Sequence, residues 1–109
     1  YAHAGMSPDL IDTAVANGAK GIVIAGVGDG NMTTPALEAV RRAIAKNVVV
    51  VRSTRVGEGV VRRNIEVSDD KIGTVASMEL VPGKARVLLK LALTQTSDAK
   101  RIQEYFNTY

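Results

Sequence analysis

The chain contains no cysteine and no tryptophan. Disulfides, thiolate metal sites and cysteine nucleophiles are therefore excluded, and a thiol-free chain is compatible with any redox compartment. A single histidine, His3, rules out a histidine cluster for metal. So near the start of the chain, it reads as an exposed or lightly packed residue rather than a catalytic base. Three tyrosines and one phenylalanine are too few to build stacking platforms for nucleic acid. No apolar run approaches the ~20 residues that a membrane-spanning helix needs. No secretory leader is recognisable, and the first residue is Tyr1 rather than methionine, so the natural beginning is expected upstream. Net charge is only +3, with basic residues scattered apart from the pairs Arg41-Arg42 and Arg62-Arg63. A nucleic-acid binder concentrates its charge; this chain does not.

What is present points to one α/β domain over residues 1–109. Hydrophobic content of 46% and charged content of 23% are ordinary for a globular domain. With so few aromatics, the core is built from Val, Ile, Leu and Ala. That composition suits a parallel sheet whose strands are covered on both faces. Ser7-Pro8 opens a helix over residues 7–17, with Leu10, Ile11, Ala14 and Val15 at helical spacing and Asn17-Gly18 as its stop. Residues 21–25 form a short buried strand. Thr34-Pro35 opens a second helix, lined by Leu37, Val40 and Ile44, to about Lys46. "NVVVVRS" gives a buried strand over residues 48–52. A polar segment over residues 53–71 shows no period, and a loop of that length in a small domain is usually functional or disordered. "TVASMEL" holds another short strand. Pro82 opens a third helix with Val87, Leu88, Leu91 and Ala92 inward. Ser97-Asp98 caps a fourth, on which Ile102, Tyr105, Phe106 and Tyr109 form a docking stripe. Such alternation implies a small parallel sheet flanked by helices. A domain of this kind that begins on a helix is expected to have its first strand truncated or lying upstream of Tyr1.

Ligands of open parallel sheets bind beyond the carboxyl ends of the strands. Two segments leave such ends: "GVGDGNMTT" and the loop after residue 52. Between them they carry Asp29, Asn31, Thr33, Thr34, Ser53, Thr54 and Glu66, a rim that suits a zwitterion. Glu66 would answer an ammonium group, and Asn31 with backbone amides a carboxylate or amide. The glycine turn also resembles part of a dinucleotide fingerprint. Its third glycine is replaced by Asn31, however, and Arg52 rather than an acid ends the next strand, an arrangement suited only to a phosphorylated ribose. A tight strand-to-helix turn without a ligand is the third reading. Asp69-Asp70 reads as a solvated turn, and Arg62-Arg63 as a surface or subunit contact. No nucleophile-base pair is arguable.

Four segments in order, "GIVIAGVGDGNM", "VVVVRSTRVGEG", "VRRNIEVSDDKIG" and "KARVLLKLALTQTSDAKRIQEYFNTY", resemble the carboxyl-terminal domain of bacterial type II L-asparaginases, the glutaminase-asparaginase family. The resemblance covers essentially the whole chain. It implies a sheet of about four parallel strands in a protein that hydrolyses L-asparagine to L-aspartate and ammonia without a cofactor or metal. It further implies a homotetramer built as a dimer of dimers, with each active site between two subunits. The threonine nucleophile would lie in an amino-terminal domain, and no catalytic residue in this chain. On this resemblance Asn31 and Glu66 bind substrate in the neighbouring subunit, and Glu66 pairs with its ammonium group. The location implied is the periplasm or outside the cell, with the cytoplasm still open. A stand-alone nucleotide- or amino-acid-binding module is the alternative. Two departures stand out. The family usually has "GNGN" where this chain has "GDGN", which places Asp29 on the rim of the site. It has "NPQKAR" where this chain has "VPGKAR", which removes a helix cap at Val81.

Overall fold

The apolar run "NVVVVRS" becomes the middle of a three-stranded parallel sheet. The structure, a computed structural model, describes residues 1–57, 59–65 and 67–109. In chain order these form α1 (Asp9–Ala16), β1 (Gly21–Gly26), α2 (Thr34–Ala45), β2 (Val49–Thr54), α3 (Asp69–Ile72), β3 (Val75–Ala76), α4 (Pro82–Ala92) and α5 (Ala99–Thr108). The sheet order is β1-β2-β3. Gly21 pairs with Val49 and Gly26 with Thr54, so the carboxyl ends of β1 and β2 lie side by side.

Strand periodicity sorts the core into two halves. Ile24 and Val50 point to one face, where Ile11 of α1 and Ala36, Ala39, Val40 and Ala43 of α2 cover them. Val49, Val51 and Val75 point to the other, against Ala85, Leu89 and Ala92 of α4 and Ile102 and Phe106 of α5. Each fully buried valine contributes about 1.5–3 kcal/mol relative to exposure. The sheet is thus sandwiched between two helix pairs, the expected α/β architecture. The Ala2 amide donates to the Ala25 carbonyl at 2.8 Å, so the first residues run against the outer edge of β1.

Several local expectations shift. Thr33, not Thr34, caps α2: its Oγ1 accepts from the Ala36 amide at 3.4 Å. Ser7 Oγ accepts from the Asp9 amide, and α1 begins just after Pro8. Leu10 is 78% exposed, because a two-turn helix resting on α2 buries a narrow stripe centred on Ile11. The inner face of α4 is Ala85-Leu89-Ala92 rather than the stripe through Val87 and Leu91, which turn outward. The small side chains of Ala85 and Ala92 let the helix sit close to the sheet. The larger ones at 87 and 91 line an open groove with Leu80, Lys84, Tyr105 and Tyr109. Tyr109 is exposed and leaves the expected docking stripe. Asp98 alone caps α5, accepting from the Lys100 amide, while Val81 gives α4 no side-chain cap. β2 runs on to Thr54, so the irregular segment starts later than its polarity suggested. It is pinned midway by an antiparallel bridge between Val61 and Met78.

Candidate functional site

Where β1 ends, the chain folds back on itself within five residues. The Val27 amide donates to the Asn31 carbonyl at 2.9 Å, and the Asn31 amide returns to the Val27 carbonyl at 2.8 Å. Closing so short a loop needs positive φ at Gly28 (58°) and Gly30 (82°). The result is an exposed Asn31 at the carboxyl end of β1, with its Oδ1 accepting from the Met32 amide at 2.8 Å. A small cleft beside it is lined by Ala2, His3, Val27, Met32 and Thr33. His3 is therefore exposed, as expected, and a neighbour of Asn31, which nothing in the sequence spacing showed.

The base of this turn rests on Arg52. Its side chain is fully buried, and Nε and Nη2 each donate to Asp69 at 2.7 Å. Nη1 donates to the Asp29 carbonyl at 2.7 Å and, more weakly, to the Gly30 carbonyl at 3.4 Å. Nη2 also reaches the Arg62 carbonyl at 3.4 Å. One guanidinium thus holds both segments that leave the sheet. The dinucleotide reading fails here, since Arg52 is turned inward and engaged and does not face a ribose phosphate. Asp69 is not the solvated turn residue its sequence suggested. The Asn64 amide and the Thr74 hydroxyl complete its coordination. Burial by itself would push the Asp69 carboxyl up; hydrogen bonds from Arg52, Thr74 and the Asn64 amide, with the Arg52 charge, bring it below the ordinary range. Only Asp70 keeps the expected exposed role, pairing with Arg63 and Asn64.

Asp29 sits at the tip of the turn and accepts from Arg62 three times. The Arg62 amide donates to Oδ1 at 3.2 Å, Nη2 to Oδ2 at 2.8 Å, and Nε to Oδ1 at 3.5 Å. The side-chain bond and then the amide bond from Arg62 hold the Asp29 carboxyl below its usual value. Its charge is therefore matched within the domain. Glu66, the second residue expected at the site, lies outside the described residues.

Hydroxyls expected along the crevice are mostly used up. Ser53 is buried and donates to the Leu80 carbonyl. Thr54 is buried, bonds to the Gly26 carbonyl at 3.5 Å and accepts from the Val56 amide. Thr33 caps α2. Among the described residues no serine or threonine hydroxyl is bonded to a histidine or lysine, and no group of acidic or histidine side chains is placed to hold a metal ion. What remains at the carboxyl end of β1 is a turn closed by two backbone hydrogen bonds that presents the amide side chain of Asn31. Sequence reading missed Asp69 and the partnership of Arg62. The signal available for the first was a lone arginine inside an apolar strand, a buried charge that demands a counter-charge.

Comparison with known proteins gives the family of the chain. The model of the glutaminase/asparaginase C-terminal domain matches residues 1–106. Over the full chain, 48% of residues are identical to a probable periplasmic L-asparaginase of Haemophilus influenzae, of which 31% is covered. L-asparaginase 2 of Bacillus subtilis is 50% identical over 92% of this chain and 26% of its own length. A glutaminase-asparaginase of Acinetobacter glutaminasificans is 43% identical over the whole chain and 33% of its own length. The chain spans about a third or less of each of these relatives.

Proposed function

Since this chain belongs to the glutaminase/asparaginase C-terminal domain family, we propose that it is the carboxyl-terminal domain of an L-asparaginase. The reaction is hydrolysis of the side-chain amide of L-asparagine: water adds, the C–N bond breaks, and L-aspartate and ammonia leave. The observation that carries this reading is the division of labour in the site. Asn31 is presented on a turn fixed from beneath, yet among the described residues no serine or threonine hydroxyl is bonded to a histidine or lysine, and the one hydroxyl on a carboxylate, Thr74 on Asp69, is buried inside the Arg52 network. A domain built this way positions substrate for a nucleophile supplied elsewhere.

In this reading the nucleophilic threonine belongs to an amino-terminal domain, and residues 1–109 form a single domain that completes the site of a neighbouring subunit. The Asn31 amide offers both a donor and an acceptor to the hydrogen-bond network around the substrate. Glu66 supplies the negative charge that answers the substrate ammonium group. A site shared in this way needs at least two subunits, and the resemblance to the family extends this to a dimer of dimers. The periplasmic label of the Haemophilus influenzae relative supports a periplasmic location.

Ammonia release from L-asparagine tests this. The 109-residue chain alone is expected to release none, and the complete protein to turn over. Asn31→Ala and Glu66→Ala in the complete protein should each lower kcat/KM by about ten- to a hundredfold, a loss of roughly 1.4–2.7 kcal/mol of transition-state stabilisation. Turnover by the isolated chain, or unchanged kcat/KM in both variants, would overturn it.

A further inference from the structure

The turn that presents Asn31 has two permissive glycines and a single backbone bridge, between Val27 and Asn31, across its neck. Left to itself, such a turn samples several orientations. Two arginines limit it from opposite sides. Arg52 grips the carbonyls of Asp29 and Gly30 from the buried side. Arg62 grips the Asp29 carboxylate from the solvent side, with its own amide and two guanidinium nitrogens. Arg62 belongs to the other segment beyond the sheet, four residues before Glu66 in the chain, and its carbonyl is in turn held by Arg52. Asp29 and Arg62 thereby join the two segments of the site at their outer surface, 33 residues apart in sequence.

We propose that the Asp29–Arg62 ion pair is a latch that sets the orientation of Asn31 toward substrate, making Arg62 a positioning residue for binding of the amino-acid amide. The proposal rests on Asn31 being a substrate-binding residue, as argued above. Two features separate the latch from an ordinary surface ion pair. The Asp29 side chain is mostly covered while that of Arg62 is 62% exposed, so the carboxylate is fixed and the arginine closes over it. The arginine's backbone amide also donates to the same carboxylate, so loss of the carboxylate releases both segments together. The pairing also sets an opposite charge against the Asp29 carboxylate at the rim of the turn.

The test is a double-mutant cycle in the complete protein, with Asp29→Ala, Arg62→Ala and their combination, read as KM and kcat for L-asparagine. The expected result is a three- to tenfold rise in KM for each single variant with kcat within twofold. The double variant should be no worse than the poorer single, and Arg62→Lys should restore part of the loss. Potassium chloride should raise the parent's KM, because an exposed pair is screened, and should leave the double variant's KM flat. Thermal midpoints check that all variants are folded. Asn31→Ala is the control. If it raises KM while the latch variants do not, or if their effects simply multiply, the latch is wrong. If Asn31→Ala leaves KM and kcat unchanged, the site reading itself fails and the latch with it.

Discussion

The Arg52 guanidinium and the Asp69 carboxylate meet through two 2.7 Å hydrogen bonds, with both side chains wholly out of solvent. Taking two charges out of water is costly, and the pair is tolerable only because every other direction is also satisfied. Asp29, Gly30 and Arg62 supply carbonyls to the arginine. Thr74 and the Asn64 amide supply donors to the aspartate. The pair therefore belongs to the geometry of the site as much as to the stability of the sheet.

Asp69→Asn is expected to destabilise the protein by about 3–5 kcal/mol, the cost of leaving a buried charge without its partner. Urea unfolding should show a lower midpoint with an unchanged slope. A loss under 1 kcal/mol would mean that water or another carboxylate reaches Arg52.

Acid should act on the same pair. The folded-state carboxyl of Asp69 lies below its ordinary value of 3.8. A depressed carboxylate contributes stability that is fully present above the unfolded value and is lost as pH falls through the folded one. Asp29 and Asp12 shift in the same direction, each through an arginine partner, Arg62 and Arg42 respectively. Urea midpoints should therefore hold steady from neutral pH to near pH 4 and fall below it. In Asp69→Asn the fall should be shallower. An equally steep fall in that variant would remove Asp69 as its main source.

The parts of the fold visible in the sequence are those set by local pattern. The all-valine run of β2, the apolar start of β1 and the proline-led α4 each carry their own periodicity or stop signal. The inner face of α4 was misread because the helix is apolar on two sides, and periodicity cannot say which side meets the sheet. The turn that carries Asn31 was legible through its glycines, which mark where a backbone must turn sharply. Asp69 was not, because its burial depends on Arg52 in another strand and on Asn64 and Thr74 around it. Asp29 was legible as a residue on the rim of the turn, but its partner was not, because Arg62 is brought to it only by the fold.

Glycine substitutions separate the two ways in which the turn depends on glycine. At Gly26 a Cβ would lie 2.5 Å from the Gly30 carbonyl carbon and 2.7 Å from the Asn31 oxygen, both backbone atoms that cannot swing aside. Gly26→Ala must open the Val27–Asn31 bridge or displace β1. It is expected to cost about 1–3 kcal/mol, the range for overpacking, and to move Asn31. At Gly28 nothing lies within 4 Å of the added atom, and only the φ of 58° opposes it. Gly28→Ala should cost about 1–2 kcal/mol from the left-handed backbone alone and leave Asn31 in place. Amide exchange at residues 27 and 31 distinguishes the cases, because those two amides close the turn. Protection at both should collapse in Gly26→Ala beyond any global loss of stability and survive in Gly28→Ala. Equal exchange in the two variants would show that close approach at Gly26 does not hold the turn.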